Sequence, residues 1–508
     1  MPRRRHEQKG WMRVRSAGIL LHISSLPGPN GIGSLGREAY AFADFLHEAG
    51  FSLWQVLPMG PTGYGESPYQ SSSVFAGNPL LISLKKMEED GLLGQADEAR
   101  DVYVPEDEGR VDYAAVRAHK MKLLRLAFYR SEESHRSEIH RWMDENKWVR
   151  DYALFTAVKE HFGGVMWTKW PDDGIRLNKK AAREKYRIEL LEEYRFHIFC
   201  QWVFFRQWYA LKQYCNERGI QLFGDMPIYV AEDSADTWTH PEVFQLDRDR
   251  LPKRVAGVPP DYFSKDGQLW GNPLYRWHRL RFSRYGWWVE RMRAMAKMYD
   301  VIRVDHFIGF ANYYSIPYGA KTAREGKWIV GPGKSLFKTF SRELPGLNIV
   351  AEDLGCVNDR VRDLISFTGY PGMKVLVFGF DDADEKNQHL PANYPENIVA
   401  YTGTHDNNTV RGWIDAADPK ALAFAQKTLG FQRPEDGPAA FVKAVLASRA
   451  NTAVIAMQDI LGLDASACMN HPGTTSGNWL WRMKPGAVSH EDAQRLRALL
   501  TETKRIHN

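Results

Sequence analysis

Cysteine is scarce in this sequence, with four residues in a chain of 508. The four lie far apart and form no C-x-x-C pair, so neither a disulfide framework nor a cysteine zinc site is indicated. They are Cys200, Cys215, Cys356 and Cys468. Because a chain without a disulfide pattern fits a reducing compartment, we predict a cytoplasmic location.

Long apolar runs and an excess of one charge are also lacking. No stretch approaches the roughly 18 apolar residues of a membrane span, and no apolar segment follows the basic residues 2–6 as in a secretory signal. Lys and Arg number 67 against 62 Asp and Glu, a net charge of +5. Over this length that bias does not favour nucleic acid as a partner. We predict no membrane or nucleic-acid partner, and a flexible basic tail over residues 1–15.

Aromatic residues are plentiful, at 13% with 17 Trp and 22 Tyr. This richness fits a protein that stacks sugars on flat side chains, although an aromatic core explains it equally. Glycines 31, 33 and 36 form a G-x-G-x-x-G, the dinucleotide-binding pattern. That pattern requires an acid at the end of the next strand. The next strand, residues 51–57, ends in Pro58-Met-Gly60, and we therefore reject a dinucleotide.

Eight short apolar segments read as strands, and most follow a helical pattern. Such alternation specifies a parallel sheet, and eight units predict an α/β fold of the closed (β/α)8 TIM-barrel type over residues 16–508. Two insertions interrupt it, a helical subdomain at about 85–190 and a substrate-loop subdomain at about 230–280. We predict mainly helical insertions and no separate C-terminal β-sandwich. The strands are centred near residues 20, 54, 222, 303, 350, 376, 400 and 456.

Acids recur where these strands end, the end at which barrel enzymes place their active sites. Gathering like charges does not stabilise a fold, so the set favours a functional site. The alternative, that each acid caps the following helix, explains one or two of them. The acids are Asp225, Asp305, Glu352, Asp406 and Asp459.

The segment Val301–Phe307 is central to this set. Arg303 and Asp305 are two residues apart on a predicted strand and share one face. A nearby cation keeps a carboxylate ionised, as a nucleophile requires, although a buried structural Arg–Asp pair would look the same. Two carboxylates about 5–5.5 Å apart cleave glycosidic bonds with retention of configuration.

Several stretches together resemble one enzyme family. The chain is similar, from about Ser16 to its end, to 4-α-glucanotransferases of the amylomaltase (disproportionating enzyme) type, glycoside hydrolase family 77 of the α-amylase superfamily. The resembling stretches are residues 65–70 (GESPYQ), 224–229 (GDMPIY), 257–263 (GVPPDYF), 269–275 (LWGNPLY), 303–307 (RVDHF), 350–355 (VAEDLG) and 403–407 (GTHDN).

The resemblance implies roles for individual residues. Asp305 would be the nucleophile, Glu352 the general acid and then base, and Asp406 would bind ring hydroxyls and stabilise the transition state. A buried core histidine is the alternative for His405. The implied substrate-binding residues are Ser67, Tyr69, Asp225, Tyr262, Phe263, Gln268, Trp270, Arg303, His306, Asp353, His405 and Asn470.

The implied substrates are maltooligosaccharides, α-1,4-glucans from starch or glycogen, and glucose. The third-strand histidine of true amylases is missing, because Asp225 is followed by Met-Pro-Ile-Tyr-Val, and this favours the amylomaltase branch. No calcium loop was found, so we expect no metal and no other cofactor. A glucan-binding barrel without turnover and an α-glucan hydrolase remain alternatives. The sequence leaves open the oligomeric state and the preferred glucan length.

Overall fold

The structure, a computed structural model, describes residues 15–94, 103–260 and 264–506. Almost all of the predicted basic tail lies outside these residues, as do Tyr262 and Phe263. In the described parts of the chain, no helix has both the length and the apolar character needed to cross a membrane.

Eight parallel strands form one sheet, in the order β10-β11-β12-β1-β2-β3-β6-β9. The amide of Ala351 in β9 donates to the carbonyl of Pro371, just before β10, at 2.8 Å and links the two ends of the sheet. The predicted (β/α)8 barrel is confirmed. Its strands are β1 (Ser16–Leu20), β2 (Leu53–Gln55), β3 (Gln221–Pro227), β6 (Val301–Asp305), β9 (Ile349–Ala351), β10 (Gly372–Val375), β11 (Ile398–Tyr401) and β12 (Thr452–Ala456).

Helices cover the barrel because its strands are apolar on both faces. The first helix ends at Gly50, whose φ of 83° suits glycine. The last has a capping box between Ser489 and Asp492. The α-helices are Arg37–Ala49, Leu84–Glu89, Tyr113–Ser131, Arg136–Glu145, Trp148–His161, Asp173–Arg176, Lys180–Glu189, Leu191–Glu217, Ala235–Thr239, Trp277–Phe282, Gly286–Met298, Lys334–Glu343, Asp359–Thr368, Val410–Ala416, Pro419–Leu429, Gly437–Ala447, Met457–Ile460 and His490–Glu502.

A second, antiparallel sheet lies in the loops after β3 and β6, in the order β5-β4-β7-β8. This sheet was not predicted from the sequence, because its strands are short and three of them contain glycine or proline. The sheet matters for the site because β5 carries Gln268 and Trp270. Its strands are β4 (Arg254–Val258), β5 (Gln268–Pro273), β7 (Asn312–Pro317) and β8 (Lys327–Val330).

Candidate active site

Arg303 joins two carboxylates at the end of the barrel. It pairs in register with Asp225 on the neighbouring strand β3, and its Nη1 donates to Asp225 Oδ1 and Oδ2 at 2.8 and 2.6 Å. Its Nη2 lies 2.9 Å from Asp305 Oδ1. The predicted shared face of Arg303 and Asp305 is thus observed. The Asp225 side chain is fully buried, whereas that of Asp305 is 27% exposed, so Asp305 is the carboxylate that a ligand can reach.

Glu352 follows β9 and lies against the backbone next to Asp305. Its Oε2 accepts from the amide of His306 at 2.7 Å, and its Oε1 accepts from the amide of Leu354 at 2.7 Å. His306 has a φ of 50°, in the left-handed region. Such strain at a non-glycine residue is typical of functional sites. Here the strained residue, His306, directly follows Asp305, and its amide donates to the Glu352 carboxyl group.

Burial and mutual repulsion give Asp305 and Glu352 different pKa values. Burial, and then the charge of Asp305, raises the pKa of Glu352 to about 8. Burial also raises the pKa of Asp305, to about 6, against the opposing charge of Arg303. The two groups titrate as a pair, and the first proton lost belongs mainly to Asp305. Near pH 7 these pKa values favour an ionised Asp305 and a protonated Glu352.

These protonation states predict a bell-shaped dependence of kcat/KM on pH. Activity should rise as pH increases through about 6, where Asp305 loses its proton, and fall above about 8, where Glu352 loses its proton. Initial rates on maltotriose across this range, in buffers of constant ionic strength, provide the measurement. A rate that stayed constant from pH 5 to 9 would contradict the assignment.

Asp406 is held ionised at the open side of the site. His405 Nε2 lies 3.3 Å from its Oδ2, and Asn470 Nδ2 donates to its Oδ1 at 2.7 Å. Burial alone would raise the pKa of Asp406, but His405 and Asn470 outweigh it and lower the pKa to about 2. The Asp406 side chain is 43% exposed, so it can still meet a ligand.

Tyr69 connects His405, the partner of Asp406, to Asp225. Its Oη donates to Asp225 Oδ2 at 2.8 Å, and its ring stacks on His405 with centroids 5.0 Å apart. Ser67 positions Tyr69, since its Oγ accepts from the Tyr69 amide at 3.2 Å. Trp479 packs on Tyr69 at 5.7 Å; sequence reasoning missed it, because nothing in its local pattern marks it. Through Tyr69, the residues around Asp305 and Asp406 form one connected site.

His306 and residues of strand β5 form another wall of the site. The Trp270 ring meets the His306 ring edge-on, with centroids 4.9 Å apart, and Trp270 Nε1 donates to Gln268 Oε1 at 3.0 Å. Burial lowers the pKa of His306 to about 4. His306 is therefore neutral near pH 7, and its buried Nε2 has no hydrogen-bond partner among the residues that the structure describes. This nitrogen is suited to bind a ligand hydroxyl.

Two other acids, Asp353 and Asp459, bind backbone amides. Asp353 Oδ1 accepts from the Met373 amide at 2.7 Å. Asp459 accepts from Thr402 Oγ1 at 2.5 Å and from the Val410 amide at 2.8 Å. Val410 begins an earlier helix, Val410–Ala416, whose N-cap is Thr409. Asp459 therefore does not cap the helix that follows it, as the capping interpretation expected. Its two bonds fasten both ends of the loop 403–409, which carries Asp406.

Replacing Asp459 with alanine should therefore misplace Asp406. We expect kcat to fall roughly a hundredfold, the usual cost of about 1 Å of misplacement. Asp459→Asn, which keeps an acceptor for Val410, should retain most of the activity. The measurement is kcat on maltotriose, with Tm monitored in parallel. A variant with lowered Tm but unchanged kcat would show that Asp459 only stabilises the fold.

One group among the described residues has ligand atoms close enough for a metal ion, formed by Glu160, Glu193 and His197. It lies in the helical insertion between β2 and β3. Arg125 forms an ion pair with Glu193, and His197 Nε2 lies 3.0 Å from Glu160 Oε2. Both acids of this group are thus engaged by side chains of the protein.

Known proteins of one family are similar to this chain. A family model described as 4-alpha-glucanotransferase matches residues 21–489. A 4-alpha-glucanotransferase of Thermus thermophilus is 46% identical over 504 residues, covering 97% of this chain and 99% of the relative. One of Clostridium butyricum is 43% identical over 479 residues, covering 94% of this chain and 98% of the relative.

Solved structures extend the comparison. An amylomaltase from Streptococcus agalactiae, in complex with acarbose, matches with a TM-score of 0.94 at 41% identity, covering 97% of this chain and 100% of that chain. An amylomaltase from Corynebacterium glutamicum, at 19% identity and a TM-score of 0.77, covers 98% of this chain and 76% of that one and supports the fold alone. With the family model and two relatives matching almost throughout, this chain belongs to the 4-alpha-glucanotransferase family of enzymes.

Proposed function

We propose that this enzyme transfers a segment of an α-1,4-glucan to the 4-hydroxyl of another glucan or of glucose, by double displacement with retention of configuration. One observation carries the proposal. Asp305, paired with Arg303, lies beside Glu352, whose carboxyl oxygen accepts a hydrogen bond from the amide of the residue after Asp305. This is the acid–nucleophile pair that a retaining glycosidase or transglycosidase needs.

In the first step Asp305 attacks the anomeric carbon of the donor glucan. Arg303 binds Oδ1, so Oδ2 forms the new bond. The bond from the anomeric carbon to the leaving 4-oxygen breaks, and Glu352 gives its proton to that oxygen. A covalent β-glucosyl-Asp305 ester and a shortened glucan result. Asp406, ionised by His405 and Asn470, would stabilise the positive charge that develops on the ring.

In the second step Glu352, now a carboxylate, removes the proton of the acceptor 4-hydroxyl. The acceptor oxygen attacks the ester, Asp305 is released, and the α-1,4 bond forms. Water at about 55 M competes at this step, and a preorganised acceptor overcomes it through effective molarity. Gln268 and Trp270 are the described candidates for an acceptor platform, and Tyr262 and Phe263 are its further candidates from sequence.

The remaining predicted contacts are consistent with one glucan in the cleft. His306 Nε2 and His405 would bind hydroxyls at the cleavage point, and Asn470 would reach the substrate beside Asp406. Tyr69 would stack under the donor sugar. Asp225, buried behind Tyr69 and Arg303, would act through those two side chains. We propose that Asp353, bonded to the backbone of Met373, supports Glu352 from the side away from the donor.

Maltotriose as the only substrate tests the proposal. Transfer should produce glucose together with a ladder of longer maltodextrins, resolved by chromatography or mass spectrometry. Glucose and maltose without a ladder would identify an α-glucan hydrolase instead, and glucan binding without products would identify a binding protein. We place the activity in maltodextrin or glycogen metabolism in the cytoplasm, where these glucans and glucose are available.

A further inference from the structure

A groove outside the barrel mouth is lined by four arginines. It has a volume of about 470 Å³, within the range of small-molecule sites, roughly 300–1,000 Å³. Glu242 and Asp247 also line it. Among the residues that the structure describes, none of the four arginines lies within ion-pair distance of a carboxylate. The four are Arg248, Arg250, Arg276 and Arg279.

The two acids of the groove are already engaged within the protein. Asp247 Oδ1 accepts from the amides of Asp249 and Leu251 at 2.9 and 3.0 Å. Glu242 lies 3.4 Å from the ring of His240. Four positive charges against two acids leave the groove with an excess of two. That excess favours an anion.

Hydrogen bonds of Asp247 close the turn that presents two of these arginines. The Asp247 amide also donates to the Leu251 carbonyl at 2.9 Å, which closes the turn. Arg250 adopts a φ of 71°, a left-handed conformation that is strained for an L-residue other than glycine. Arg276 Nη2 donates to the Leu246 carbonyl at 2.5 Å and fastens the wall of the groove to the start of the turn.

The neighbouring positive charges in the groove affect the pKa of Arg276. Burial, and then the charges of Arg279 and Arg250, lowers the pKa of Arg276. A bound dianion would convert this repulsion into attraction. Guanidinium groups bind phosphate oxygens through two parallel hydrogen bonds, a geometry that an ammonium group does not offer.

We propose that this groove binds the phosphate group of a phosphate-bearing ligand. The groove lies at the base of the β4–β5 hairpin, where the Arg276 amide donates to the Val243 carbonyl at 2.8 Å. The same hairpin carries Gln268 and Trp270 in β5. The ligand is either a small organic phosphate or a phosphate ester on a glucan chain, which share the chemistry that the arginines recognise.

Calorimetry on the full-length enzyme tests the proposal with inorganic phosphate, glucose 6-phosphate and a phosphorylated maltodextrin. We expect saturable binding of one phosphate group per chain. Arg248→Gln/Arg279→Gln should raise the Kd by about tenfold or more, a loss of about 1.4 kcal/mol. Arg281→Gln/Arg284→Gln, which removes the same charge from exposed positions outside the groove, should leave the Kd unchanged. Unphosphorylated maltodextrin is included to subtract binding at the barrel mouth.

The probes also separate the two sources of phosphate. Equal affinity for glucose 6-phosphate and the phosphorylated maltodextrin would indicate a small organic phosphate, and clearly tighter binding of the maltodextrin would indicate a glucan ester. The proposal is overturned if no probe binds, or if the control pair weakens binding as much as the groove pair. Tm and the maltotriose product ladder should be the same in both double variants and in the parent enzyme, whichever way phosphate binding turns out.

Discussion

Replacing Asp305 with asparagine should lower kcat on maltotriose by roughly 10⁴- to 10⁶-fold, the range seen when an enzyme loses its nucleophile. The side chain keeps its size and can still accept from Arg303, but an amide does not form the glucosyl ester. Binding of intact maltotriose should change little, because the neighbouring contacts remain. Single-turnover rates combined with calorimetry separate the two effects.

A matched control lies at the other end of the same strand. Asp300 immediately precedes β6 and accepts from Lys212 Nζ and the Leu222 amide, at 2.7 and 2.8 Å. Asp300→Asn should therefore lower Tm and leave the kcat of the folded enzyme unchanged. Equal loss of kcat in both variants would mean that Asp305 acts through stability and would remove it from the mechanism.

Replacing Glu352 with glutamine should lower kcat on maltotriose by roughly 10²- to 10⁴-fold, the usual contribution of a general acid. Glutamine does not protonate the leaving oxygen. α-Glucosyl fluoride does not need that proton, because fluoride leaves unaided, so the first step should recover. The second step still lacks its base, and the covalent ester should accumulate on Asp305, where mass spectrometry of the intact protein would detect it.

The pH dependence gives an independent readout for Glu352. In Glu352→Gln the loss of activity above about pH 8 should disappear, while the rise through about pH 6 should remain, since that limb belongs to Asp305. Glu232 is the control, because burial raises its pKa as well. Glu232→Gln should keep both limbs. A basic limb that persisted without Glu352 would assign the acid role elsewhere.

Azide distinguishes the two roles by stereochemistry. With α-glucosyl fluoride, Asp305→Gly should yield a β-glucosyl azide, since azide replaces the nucleophile in a single inversion. Glu352→Ala should yield an α-glucosyl azide, because azide then attacks the ester on Asp305 and two inversions occur. Proton nuclear magnetic resonance of the products separates the anomers. The same anomer from both variants would contradict the assignment.

Much of the barrel was predictable because its signals are local. Each strand is a short apolar segment, such as the one that ends at Asp305, and a helix that ends near Gly50 or begins at Ser489 is marked by a single turn of sequence. The antiparallel sheet was not predictable. Its central pair joins Arg254 to Pro317, and no local pattern specifies a pairing between segments so distant along the chain.

The sequence alone determined which residue types stand at the ends of the strands, since the alternation of strand and helix places them there. Tertiary structure decided what each acid does. Asp225 and Asp459 look like Asp305 in sequence, yet the first is enclosed behind Arg303 and the second holds two ends of a loop. Burial and neighbouring charge set whether an acid is open, ionised or protonated, and those neighbours come from remote parts of the chain.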